Sequence, residues 1–275
     1  MPAALPASDA ELLALAGVSE DLDPAQGLFR DGCWLRRISA EPVLLFGGGR
    51  ALLLEVAHPL VAAGVAQHSN FRADPYGRLK RTLDAMSALT FRDRDSALAT
   101  ARSLSQSHER IRGTLSRGAG PFPAGTPYAA SDPDLVRWVW ATLVETSAVV
   151  YEAFVAPLST AALEAFYADH AVIARLLGVP PDRVPGSWSD FRAFWEDVLS
   201  GDTLSVTADG RAIAEPVLDP PGGGRNARTV RLVTAALLPG RLREAFGLAW
   251  DDEAAARYAA LSDSVRRLRT TAPRR

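Results

Sequence analysis

The sequence predicts an all-α fold: a single compact multi-helix domain over residues 1–275, with a buried pocket between long helices. Three observations carry this expectation. Apolar residues recur at spacings of three and four through most of the chain, which places them on one face of a helix. Runs that alternate apolar and polar residues, the mark of half-buried strands, are almost absent. Serine and aspartate repeatedly precede the periodic segments, where their side-chain oxygens satisfy the free N–H groups of a first helical turn.

The elements follow in order. Asp9 caps a short amphipathic segment that stops at Gly17, and a second short helix covers residues 34–40. Glu41-Pro42 opens a long apolar stretch to about His68, with Gly47-Gly48-Gly49 and Pro59 as breaks or kinks. Its most apolar part, residues 51–66, is too short for a membrane span and carries Glu55 and His58, so it reads as a buried helix. A polar turn over residues 69–76 leads to a helix over 77–88. The next helix starts near Asp93, and its stripe of Ala97, Ala101, Leu104, His108, Ile111 and Leu115 extends it to residue 115.

Glycine and proline make residues 118–127 a loop. Ser131-Asp132-Pro133 starts a long, nearly fully buried helix to about Val155. Ser159 caps another that passes Phe166, His170 and Ile173 and stops at Gly178. Ser187 or Ser189 begins a helix through Phe191, Phe194 and Val198. Residues 203–221 are harder to assign and run into DPPGGG (219–224), a linker-like passage. Helices over 229–238 and 251–268 complete the C-terminal segment, 222–275.

Composition narrows the function. With 30 basic and 32 acidic residues the net charge is −2, and no basic block suits nucleic acid. An apolar fraction of 48% is that of a globular protein and argues against wholesale disorder. Cys33 is the only cysteine, which rules out an intrachain disulfide and a cysteine-built metal site. The first residues lack the basic and apolar regions of a secretory signal, so a reducing, cytoplasmic setting is expected. The arginine-rich end, 266–275, reads more simply as a solvated tail than as a membrane-surface contact. No stable membrane insertion is expected, and a homo-oligomer is compatible with the sequence.

Chemistry is sparse. The histidines are His58, His68, His108 and His170, and they form no H-x-x-x-H or H-E-x-x-H pair. No G-x-S-x-G elbow or paired E-x-x-H motif occurs. His108 lies on the apolar stripe of its helix, where a core-facing imidazole must either find a hydrogen-bond partner or bind something. A lone inward histidine in an apolar helical protein suits haem, which needs one axial imidazole and an apolar slot.

The stretches LFGGGRALLLEVAHPLVAAGVAQHSNFRADPYGRLKRTLDAM, HERIRG, PYAASDPDLVRWVWATLVETS and LGVPPDRVP occur in this order. Together they resemble the family that includes the latex-clearing rubber oxygenases and the oxygenase of mycophenolic acid biosynthesis. The resemblance covers about residues 45–199, with a family-like core over 41–200. It implies an all-α protein that binds one haem b (iron) through a single histidine and activates dioxygen. In the best-known members it also implies oxidative cleavage of carbon–carbon double bonds. His108, in an H-x-x-x-x-G context, matches the proximal ligand position.

Arg78, Arg81 and Thr82 match a distal helix that carries arginine, lysine and threonine in the rubber oxygenases. Arg81 replaces the lysine, and a guanidinium that stays protonated cannot serve as a neutral nitrogen ligand. Arg78 and Arg81 either stabilise bound dioxygen, pair with a haem propionate, or are solvated surface charges. Thr82 either donates to iron-bound oxygen or bonds its own backbone. Trp140 stands where many members have a histidine, and its indole is a candidate to fill the pocket.

The other candidates rest on pattern. His58, turned by the kink at Pro59, faces a cavity or is a satisfied buried histidine. His68 orients its loop. Glu55 needs a partner such as Arg50 or Arg78, or serves as a base. His170 is a further candidate ligand. The expected function is a haem b-dependent oxygenase of a hydrophobic small molecule and dioxygen, with His108 on the metal and Arg78, Arg81, Thr82 and His58 catalytic. The alternatives are a haem peroxidase or peroxygenase at the same site and a non-catalytic haem- or ligand-binding protein.

Overall fold

The computed structural model describes residues 5–69, 75–219 and 224–271. Part of the expected 69–76 turn and most of the DPPGGG passage fall outside them. The chain opens with α1 (Asp9–Ala16), whose N-cap is Ser8 rather than Asp9: the Ser8 hydroxyl accepts from Glu11 N at 3.2 Å. Gly17 closes the helix at φ 75°, a conformation in which a side chain would be strained. Next come α2 (Trp34–Ser39) and a 3-10 turn over Pro42–Gly47.

The long apolar stretch becomes α3 (Gly48–Ala57) and α4 (Pro59–His68), which meet at 105°. Proline has no N–H to continue the ladder and forces the preceding residue out of the helical region, so His58 is extended, with φ −79° and ψ 119°. His58 then caps α4, its Nδ1 accepting from Leu60 N at 3.2 Å. The ring is buried and packs on Phe122 at 5.2 Å. Among the described residues no single helix is long and apolar enough to cross a membrane. The bent pair passes such a test only together, and Leu53, Leu54, Val56 and Ala57 are fully buried.

Burial pushes the His58 imidazole down to about 4, from 6.5 in an unfolded chain. The folded state therefore refuses a proton that the unfolded chain accepts. Its contribution to stability is whole above pH 6.5 and is lost as the pH falls toward 4, at up to about 1.4 kcal/mol per pH unit. Asparagine is an equally good cap that does not titrate. His58→Asn should therefore remove about 2 kcal/mol of the stability loss between pH 7 and pH 5 in urea titrations. An unchanged pH slope would overturn this account.

Two antiparallel helices follow, α5 (Pro75–Phe91) and α6 (Arg94–Glu109), with Asp93 capping α6 through Ser96 N at 2.9 Å. The sequence pattern overshoots here, because α6 stops at Glu109 instead of residue 115. Gly113 lies in β1 (Arg112–Thr114), opposite Tyr128 of β2 (Pro127–Ala129), and a Cβ at Gly113 would meet the Tyr128 hydroxyl. Ile111 and Leu115 therefore pack with Leu60, Ala63, Tyr128 and Leu135, away from the helical stripe.

The centre is α7 (Pro133–Phe154), capped by Asp132, and against it lies α8 (Thr160–Leu176), capped by Ser159. Then come α9 (Trp188–Ser200), capped by Ser187, and α10 (Ala208–Leu218), capped by Thr207, in a stretch that is harder to assign from sequence. The chain ends in α11 (Gly224–Leu237), α12 (Gly240–Ala245) and α13 (Asp252–Thr271). Thirteen α-helices and one two-stranded ladder among the described residues make the protein all-α. Its main core gathers Trp138, Trp140, Phe166, Tyr167, Phe191 and Trp195 between α7, α8 and α9. Trp138 stacks on Trp195 at 5.3 Å.

Candidate active site

A cavity of about 630 Å³, mostly apolar, opens between α3, α5, α7, α8, α10 and α11. That volume lies in the range of small-molecule and cofactor sites, ~300–1,000 Å³. From α3 come Gly48, Gly49, Ala51, Leu52 and Glu55; from α5, Thr82, Leu83, Met86, Ser87, Thr90 and Phe91. α7 adds Leu143, Thr146 and Ser147, α8 adds His170, α10 adds Ile213, Pro216 and Val217, and α11 adds Asn226 and Val230.

The glycine triplet lets these helices approach. A Cβ on Gly47 would come within 2.6 Å of Thr146 Cγ2 and 2.9 Å of Val150 Cγ2. A Cβ on Gly49 would collide with the Thr234 hydroxyl. The triplet is thus a packing device with no phosphate-loop role.

Behind the cavity wall lies a buried ion pair. Arg50 of α3 and Glu145 of α7 meet at 2.5 Å, with 2% and 5% of their surface exposed. Arg50 also donates to Thr146 Oγ1 at 2.6 Å and to Leu237 O at 2.7 Å, and half-exposed Arg192 approaches Glu145 at 3.4 Å. The carboxylate that answers Arg50 is therefore Glu145. Glu55 lines the cavity instead.

His170 is 3% exposed and lines the cavity, and its Nδ1 has no hydrogen-bond partner. Phe166 abuts the ring edge-on at 4.6 Å, and burial pushes the imidazole down to about 3. The ring is neutral at pH 7 and keeps a lone pair to offer. Trp140 holds the turn that carries it, donating from Nε1 to His170 O at 2.9 Å. Trp140 does not line the cavity; its indole packs on Tyr167 and Phe191.

His108 sits half-buried in the last turn of α6, and burial lowers its pKa as well. It is not among the residues lining the cavity. The α5–α6 hairpin places it beside the first turns of α5, where the side chains of Arg78 and Leu79 fall outside the described residues. Thr82 lines the cavity, Arg81 is exposed one residue earlier, and His58 is engaged as a helix cap. His68 meets Arg112 O at 3.0 Å, which ties the end of α4 to β1. Burial pushes the Cys33 thiol up to about 11, which disfavours the thiolate.

Among the described residues no group of three or more histidines, cysteines and carboxylates is placed to hold a metal ion. The donor set instead suits a cofactor that brings its own equatorial ligands and asks the protein for one imidazole. The orphaned Nδ1 of His170, the neutral rings of His170 and His108 and the apolar walls fit such a group.

Sequence reasoning missed Thr146, Ser147, Thr90 and the α10 and α11 walls. A signal for the first two was present: Glu145-Thr146-Ser147 is a polar trio in an otherwise apolar stretch of α7.

A large apolar cavity with few polar groups in its wall is suited to a small hydrophobic ligand. Residues 35–271 match the family model described as "ER-bound oxygenase mpaB/B'/Rubber oxygenase, catalytic domain". The chain belongs to that family and is an oxygenase, an oxidoreductase acting on a small molecule with dioxygen. No curated protein and no solved structure matches it. The match extends past residues 45–199, where the sequence motifs stop, and takes in the C-terminal helices that complete the cavity.

Proposed function

We propose that this oxygenase is haem b-dependent and oxidises a hydrophobic small molecule held in the cavity. The observation that carries the reading is an apolar cavity of about 630 Å³ with a neutral, unpartnered imidazole in its wall, in a chain of an oxygenase family. Bound there, haem supplies the redox centre for dioxygen activation and for attack on a carbon–carbon double bond. The protein supplies the rest. The resemblance would give the iron to His108, whose ring burial keeps unprotonated but which lies outside the lining of the cavity.

Thr82 lines the α5 side of the cavity, and Arg78 and Arg81 would act on the distal side as the resemblance implies. Leu52, Met86, Leu143, Ile213 and Val230 bind the apolar body and exclude water. Walls drawn from both the 41–200 core and the helices of 222–275 support the reading of one domain.

A second assignment rests on a specific observation: His170, the histidine that lines the cavity and whose Nδ1 lacks a partner, would hold the iron. Absorption spectra of haem-reconstituted protein, ferric and then dithionite-reduced, separate the two. With His108 as ligand, His108→Ala loses the Soret band and His170→Ala keeps it; the reverse pattern assigns the iron to His170. A wild-type protein with no Soret band, or one unchanged in both variants, sinks the haem reading.

A further inference from the structure

The polar side chains of the cavity wall fall into two groups. Thr82, Ser87 and Asn226 are exposed, whereas Thr90, Thr146 and His170 are buried and belong to the inner wall. The hydroxyls that α7 contributes have protein partners: Thr146 Oγ1 accepts from Arg50 at 2.6 Å, and Ser147 donates to Leu143 O at 2.8 Å. His170 differs. Its Nδ1 has no partner, and Phe166, which abuts the ring, supplies neither a donor nor an acceptor. A buried polar atom left unpaired is costly, and native proteins keep few of them. One on a residue that borders an apolar chamber is answered when a guest brings the missing partner.

The wall narrows the chemistry of that guest. Among the described residues no lysine or arginine lines the cavity, so a carboxylate or phosphate on the guest would be stripped of water with no counter-ion. The charged side chains that do line it, Glu41 and Glu55, are acidic and would repel such a group. An ammonium end would be drawn to those carboxylates and leave Nδ1 unanswered. A plain hydrocarbon leaves it unanswered too. A hydroxyl answers it, because an alcohol both donates and accepts and therefore suits a neutral imidazole whichever nitrogen carries the proton.

We propose that His170 is a specificity-determining residue: it receives a hydroxyl on an otherwise apolar substrate and makes the chamber prefer such an alcohol to a hydrocarbon of the same shape. The inference rests on the cavity being the substrate chamber of the oxygenase proposed above, with the iron on His108 and not on His170. Apolar walls hold the body of the molecule and contribute affinity without direction. The single hydrogen bond at His170 fixes which end of the molecule lies inward. Discrimination of this kind is strong, since a guest without the hydroxyl leaves a buried polar atom unpaired.

The test measures binding to the full, haem-reconstituted chain by headspace depletion of two volatile probes, 1-heptanol and octane, which carries a methyl in place of the hydroxyl. His170→Phe keeps a planar ring without its nitrogens and should lower the ratio of heptanol to octane affinity about tenfold. A merely structural role for His170 would change both affinities together and leave the ratio alone. His170→Gln keeps a donor and an acceptor and should restore part of the ratio. Heptanoate, followed by equilibrium dialysis, should bind the wild type at least about tenfold more weakly than heptanol. Circular dichroism checks folding; if His170→Phe is unstable, the ring resonances of wild-type protein labelled with 15N-histidine serve, and heptanol should shift one ring that octane does not. An unchanged ratio in a folded His170→Phe overturns the proposal, as does heptanoate that binds like heptanol or a wild type that binds neither volatile probe. Loss of the Soret band in His170→Phe gives the ring to the iron and overturns it as well. A wild type that takes up no haem counts against the cofactor alone, because the affinity ratio is still read.

Discussion

Arg50→Ala should cost about 3–5 kcal/mol of folding stability, read as a fall in urea midpoint at constant slope. The loss comes chiefly from what stays behind. Glu145 is 5% exposed, and with Arg50 gone its carboxylate keeps only Arg192 at 3.4 Å. Thr146 Oγ1 and Leu237 O lose their donor as well. The paired substitution Arg50→Met/Glu145→Leu removes both charges and fills similar volume, so it should recover most of the loss despite carrying one more change. If the double variant is as unstable as Arg50→Ala, the cost lies in packing against α7 rather than in an orphaned charge.

Trp140→Ala should cost a similar ~3–5 kcal/mol, because a large indole at 1% exposure leaves a cavity among Tyr167, Phe191 and α8. Trp140→Phe keeps the ring and forfeits the bond to His170 O, a loss of about 1 kcal/mol. The two substitutions separate packing from polar anchoring. Under the haem reading with His170 as ligand, Trp140→Phe should also perturb the absorption spectrum, whereas ligation by His108 leaves the spectrum unmoved. A drop below about 1 kcal/mol for Trp140→Ala would show that the aromatic cluster relaxes around the gap.

Local chemistry made much of the fold legible. Capping serines and aspartates gave the starts of α6, α7 and α8, and periodic apolar residues gave their bodies. Near its ends the pattern failed for identifiable reasons. Ile111 and Leu115 keep helical spacing, yet Gly113 is drawn into a ladder where only a glycine clears Tyr128, so α6 stops early. Ser8 caps α1 because its hydroxyl can reach Glu11 N, a geometry that Asp9, already helical, does not offer. α10 escaped notice because Pro216 and the nearby glycines mask its period, although its apolar face packs on α3 and α4.

The site was legible in parts. Thr82 was singled out and lines the cavity; His170 was a minor candidate and is the histidine in its wall. His58 carried an open choice between facing a cavity and a satisfied burial, and in the structure it caps α4. Trp140 was a candidate to fill the pocket and instead buttresses the turn behind it. What sequence could not give is which distant segments meet. The Arg50–Glu145 pair joins residues 95 positions apart, and no local pattern announces the partner.

The cavity walls run from Ser39 to Val230 along the chain. During synthesis at ~5–20 residues per second, the early walls leave the ribosome many seconds before α11 exists to close them. For that interval Leu52, Met86 and Leu143 have no opposite face and stand against water or a chaperone. Any guest of the cavity must therefore be admitted after translation of the whole chain. Loss of α11 would take Asn226 and Val230 from the wall and open the chamber on that side.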